Sequence, residues 1–119
     1  MNKSEVINEL IKQFNKNNVT SIEVAKKGYL APKSIGFKNA RSSFKPDIIV
    51  GYGNKKDYYS IEERFSKSQL SEMISKWILL SLEARKNKGK LFVVVPEKLQ
   101  NSFDSLIQDK QISAKILAV

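Results

Sequence analysis

At 119 residues the chain has the length of one domain with its own hydrophobic core. It contains neither Cys nor His, which excludes disulfides, thiolate metal sites, His-dependent triads and nearly all zinc catalysis. A formal net charge of +9 calls for a polyanionic partner, nucleic acid or a membrane surface, and any metal must be held by oxygen atoms, which favours Mg²⁺ or Mn²⁺.

Helical spacing opens the chain. Val6, Ile7, Leu10, Ile11 and Phe14 fall on one face, Ser4 is the expected N-cap, and Asn15 to Asn18 stop the helix. Glu5 and Glu9 interrupt the apolar pattern, so the segment does not read as a signal peptide. No apolar run reaches membrane-spanning length; Trp77 to Leu80 is broken by Ser81. A soluble cytoplasmic protein without membrane contact is the expectation.

A short strand is expected near Thr20 to Ala25. The stretch from Lys26 to Lys45 holds Gly28, Pro32 and Gly36 and reads as loop or bent strand. Its six basic residues, Lys26, Lys27, Lys33, Lys38, Arg41 and Lys45, are interleaved with Tyr29, Phe37 and Phe44, and no acidic residue stands among them. Together with Ser43 they suit a clamp on a phosphate backbone, although each lysine alone is ordinary loop surface.

Two strands follow, Phe44 to Val50 and Tyr58 to Arg64, joined by a turn over Gly51 to Asp57. Strand alternation puts Tyr58, Ser60, Glu62 and Arg64 on one face and Tyr59, Ile61, Glu63 and Phe65 on the other. Antiparallel pairing then brings Asp47, early in the first strand, toward Glu62, late in the second. Close carboxylates repel, and a divalent cation is one good reason to hold them together.

A long helix is expected from about Ser66 or Ser68 to Lys86. Its face of Leu70, Met73, Ile74, Trp77 and Ile78 is widened by Leu79, Leu80 and Leu82, enough to cover a sheet and leave some surface for a second partner, such as another copy. Asn87 to Lys90 stop it, with Gly89 as the cap. Leu91 to Val95 reads as a central strand buried on both faces and is ended by Pro96. A helix carrying Leu99, Phe103, Leu106 and Ile107 and a last strand within Ile112 to Val119 complete an α/β mixed sheet in the order α-β-β-β-α-β-α-β, one domain over residues 1–119.

Pro46-Asp47, then Ile61-Glu62-Glu63-Arg64, a long helix and Leu-Phe-Val-Val-Val resemble the core of the PD-(D/E)xK nuclease superfamily, with its restriction-endonuclease-like fold. In build the chain looks most like the Holliday-junction resolvases, which are small basic dimers. The resemblance implies a Mg²⁺- or Mn²⁺-dependent DNA endonuclease, a homodimer acting on duplex or branched DNA. Asp47 and Glu62 would ligate the metal with the backbone carbonyl of Glu63. Arg64 stands where the family has lysine; arginine can bind phosphate bidentately but does not give up its proton near neutral pH. Lys67, at the start of the following helix, is preferred over Lys76 as a substitute, because helical spacing sets Lys76 off the core-facing side. The glutamate that the family sometimes recruits from the first helix would be Glu5 or Glu9, each of which reads more simply as solvated. A nuclease-fold protein that binds nucleic acid without cutting, and an interaction protein using the apolar face of the 66–86 helix, are the alternatives.

Overall fold

The computed structural model describes residues 2–14, 18–36 and 43–119. Helix α1 (Lys3–Gln13) begins at Asn2, whose side-chain Oδ1 accepts from the amides of Ser4 at 2.9 Å and Glu5 at 3.3 Å. The expected cap, Ser4, lies inside the helix. Strand β1 (Ser21–Val24) follows. Within the segment expected as loop or bent strand, β2 (Ile35–Gly36) and β3 (Ser43–Phe44) pair antiparallel, and β2 contacts the long helix. Then come β4 (Ile48–Tyr52) and β5 (Lys55–Ile61), a 3₁₀ turn at Lys67–Gln69, α2 (Leu70–Lys86), β6 (Leu91–Val95), α3 (Gln100–Asp109) and β7 (Lys115–Ala118).

The main sheet has five strands in the order β1-β4-β5-β6-β7. The first three are antiparallel neighbours, and β5, β6 and β7 run parallel. The parallel half follows from the two helices: a parallel neighbour needs a crossover, and α2 and α3 supply one each. A two-residue hairpin supplies the β4–β5 connection. Tyr52 pairs with Lys55, so the turn is only Gly53-Asn54, with Gly53 at φ +69°, a conformation glycine adopts without cost. The expected seven-residue turn is therefore mostly strand.

Each face of the sheet buries its own core. On one, Ile49, Tyr58, Leu91, Val93 and Val95 meet Met73, Trp77 and Leu80 of α2 and Phe103 and Ile107 of α3. On the other, Ile48, Val50, Tyr59, Ile61 and Val94 meet Val6, Ile7, Leu10 and Phe14 of α1 and its C-terminal end. The strand β6 faces both cores, hence its unbroken Leu-Phe-Val-Val-Val run. Tyr58 packs into the first core while its hydroxyl accepts from Asn87 Nδ2 at 3.0 Å; burial pushes its pKa up to about 12.

No helix among the described residues is long and apolar enough to cross a membrane. The apolar surface left on α2 is smaller than its sequence implies: Ile78 and Leu82 are exposed, while Met73, Trp77, Leu79 and Leu80 are buried. Two side chains offer far less than the roughly 800 Å² per partner that a stable interface buries.

Candidate active site

Asp47 is fixed by its backbone before its carboxylate does anything. Pro46 is fully buried. The Asp47 carbonyl accepts from the Ala25 amide at 2.9 Å, just past β1, and its amide donates to the Tyr59 carbonyl at 2.9 Å. Tyr59 is the register partner of Ile48, so the β4–β5 ladder slips by one residue at its mouth. The Asp47 carboxylate fills the position the slip opens: Oδ2 accepts from the Ile61 amide at 2.7 Å. Oδ1 lies 3.4 Å from the Lys3 ammonium, at the start of α1. Part of Asp47's role is thus plainly structural, closing a ladder that would otherwise leave an amide unpaired.

Glu62 continues β5 by one residue. Its amide donates to the Val94 carbonyl at 2.8 Å, extending the parallel ladder, and its side chain is 10% exposed. One oxygen, Oε1, collects the Ser60 hydroxyl at 2.9 Å, the Trp77 indole Nε1 at 3.4 Å and the Lys76 ammonium in close contact. Burying a carboxylate is costly unless it is paired and hydrogen-bonded, and this set of donors meets that cost. Among the described residues no hydrogen bond to Oε2 is formed. Glu62 lines a cleft of about 150 Å³ with Phe44, Gln69, Glu72, Met73 and Lys76.

The structure brings Asp47 and Glu62 to neighbouring strand ends, since the amide held by Asp47 belongs to the residue before Glu62. Among the described residues the two share no counter-ion. Lys3 reaches Asp47 from the α1 layer and Lys76 reaches Glu62 from the α2 layer. No group of three or more acidic side chains suited to a metal occurs among the described residues. Two carboxylates and a main-chain carbonyl are still an adequate protein share for Mg²⁺, which keeps several waters and takes other ligands from phosphate.

Glu62 meets a different cation from the two expected. Strand β5 ends at Ile61, so the alternation that placed Arg64 beside Glu62 stops short of it; Glu63, Arg64 and Lys67 are exposed, and neither cation forms an ion pair among the described residues. The ammonium on Glu62 is that of Lys76. It stands three residues after Met73 and four before Leu80, both buried, and this flanking position lets a long stem run along the core to a polar neighbour. Spacing relative to those two residues was the signal in the sequence. Nothing comparable marked Lys3, whose role depends on how α1 lies over the sheet.

Of the basic segment, Lys27, Lys33, Ser43 and Lys45 are exposed, and the Lys26 ammonium is in close contact with Asn8 Oδ1 on α1. Lys38 and Arg41 lie outside the described residues. Glu5 and Glu9 do not join the site. They line a groove of about 870 Å³ between α1 and the end of β7.

No family model matches the chain, and no curated protein matches it. Among solved structures it is similar to the small subunit of a heterodimeric restriction endonuclease, over 97% of this chain and 69% of that one, with 12% sequence identity and a TM-score of 0.49.

Proposed function

We propose that this chain is a metal-dependent DNA endonuclease whose site is Asp47, Glu62 and Lys76. The observation that carries the reading is a pair of nearly buried carboxylates on neighbouring strand ends, each with a lysine ammonium, beside a segment rich in basic residues and free of acidic ones. Asp47 and Glu62 would hold Mg²⁺ or Mn²⁺ with the Glu63 carbonyl; when bound, such an ion supplies charge stabilisation at a phosphate oxygen and a more acidic water. Asp47 is positioned by three hydrogen bonds and needs little reorganisation to receive a ligand. Glu62 keeps Oε1 for its internal donors. The Lys76 ammonium takes the part that the arginine-for-lysine change removes from residue 64, neutralising charge beside Glu62. Arg64 and Lys67 remain available to hold the DNA backbone, with Lys27, Lys33, Lys38, Arg41, Ser43 and Lys45. Action as a cytoplasmic homodimer on duplex or branched DNA belongs to the same proposal.

A second reading has an observation of its own. Because Lys3 and Lys76 already compensate the two carboxylates, a protein that binds DNA and does not cut it also accounts for the site.

The test is cleavage of labelled duplex and four-way-junction DNA with Mg²⁺, with Mn²⁺ and with chelator. Metal-dependent cutting is expected from the wild-type protein. Asp47→Ala should abolish it without loss of DNA affinity, and Lys76→Met should slow it by about a hundredfold or more. Cutting that survives Asp47→Ala overturns the assignment. Tight binding without cutting in either metal decides for the second reading.

A further inference from the structure

At the other end of the sheet from Asp47 and Glu62, where β6 and β7 begin, a cleft of about 310 Å³ is lined by Arg85 at the end of α2, Lys90 just before β6 and Lys115 at the start of β7. Ser81 and Ser113 add hydroxyls, and no acidic side chain lines it. Among the described residues, none of the three cations forms an ion pair. The Asp57 carboxylate accepts from the Lys90 amide at 2.9 Å and faces the Lys55 ammonium at 3.8 Å.

The crowding is imposed by rigid backbone. The Lys90 amide is tied to Asp57, and the Lys90 carbonyl accepts from the Tyr58 amide at 2.9 Å. Lys115 is the register partner of Phe92, two residues past Lys90. Lys115, of like charge and lining the same cleft, holds the Lys90 ammonium below the usual lysine range. Like charges on one cleft disfavour one another, and an anion between them reverses the sign of the interaction. A cation at the C-terminal end of α2 is ordinary for Arg85 alone. That explanation does not reach Lys90 and Lys115, which stand at the starts of two different strands.

We infer that Arg85, Lys90 and Lys115 form a binding site for a phosphate group, distinct from the carboxylate site. Three cations and two hydroxyls match the charge and the several acceptor oxygens of phosphate better than those of a monovalent halide. The group can belong to the DNA backbone or to a small phosphorylated molecule. Only the first source rests on the proposed function.

The experiment is an NMR titration of ¹⁵N-labelled protein with inorganic phosphate, with chloride at matched ionic strength as control. Saturable shifts at Gly89, Ser113 and Ala114 are expected with phosphate, absent with chloride, and lost in the exposed double variant Lys90→Gln/Lys115→Gln. Equal shifts with chloride, or shifts that persist in the double variant, overturn the site. A parallel titration with a short DNA duplex identifies the source. Weaker DNA binding by the double variant, with a shallower salt dependence, assigns the site to the backbone; unchanged DNA affinity alongside lost phosphate binding assigns it to a small molecule. Asp47→Ala should leave both titrations unaltered, so failed cleavage and a failed phosphate site are separate results.

Discussion

A methyl group placed on Gly89 would lie 1.5 Å from the Lys56 carbonyl oxygen and 2.9 Å from Asp57 Oδ1. Glycine is required there because β5 runs against the turn, and not for backbone freedom. The left-handed residue that ends α2 is its neighbour Lys88, at φ 62°. The sequence marked Gly89 as the cap by the usual preference for glycine after a helix, which identifies the stop but not the reason for the residue. The contact is with backbone, which cannot swing aside, so Gly89→Ala should cost about 2 kcal/mol or more in urea unfolding. Gly51 makes the useful contrast: its added methyl would clash with the Ser21 hydroxyl at 2.2 Å, the movable end of a side chain, and its other neighbours lie at 3.5 Å, ordinary contact. A Gly89→Ala variant no less stable than Gly51→Ala would mean that β5 and the turn are not in contact in solution.

At the level of elements, the helices and the buried strands were legible because their apolar residues repeat with a period set by geometry. The strand β6 showed as an unbroken apolar run, and α2 as a stripe with Trp77 at its centre. The end of β5 was not legible. Tyr58 to Phe65 alternates convincingly to its last residue, yet the ladder to β4 closes at the Asp47 carboxylate and the last ladder bond to β6 is that of the Glu62 amide. Alternation records which residues suit a strand, whereas the end of a strand depends on whether a neighbour is present, and that neighbour is decided by tertiary structure. The same limit hid the pairing of Glu62 with Lys76, which joins β5 to α2 across fourteen residues of chain. A double-mutant cycle with Glu62→Gln and Lys76→Met measures that joint directly. Both side chains are largely shielded, at 10% and 22% exposure, so a coupling of about 1 kcal/mol or more is expected. Coupling near zero would show that the ammonium stays in water and would remove Lys76 from the proposed site.

Across the whole molecule, the excess of positive charge is spread along the sheet and not confined to one patch. The segment from Lys26 to Lys45 leads into Asp47 at one end, and Arg85, Lys90 and Lys115 line the cleft at the other. A charge of +9 on 119 residues says that a polyanion is attractive, but only the placement of the cations says how many of its phosphates are touched. Salt dependence counts them, because each neutralised phosphate releases condensed counter-ions and adds roughly 0.9 to the slope of log affinity against log salt. Replacing Lys38, Arg41 and Lys45 together with glutamine should therefore lower that slope by about 2.7 if all three touch the DNA backbone. It should also weaken binding to every sequence alike, since phosphate contacts carry no base information. Fluorescence anisotropy with two unrelated duplexes over a series of salt concentrations reads both quantities. An unchanged slope would make the segment solvated surface, and the phosphates would then have to be held elsewhere, with Lys90 and Lys115 the next pair to neutralise. A loss confined to one duplex would mean that these side chains read bases, a role that requires them to enter a groove rather than lie along the strand.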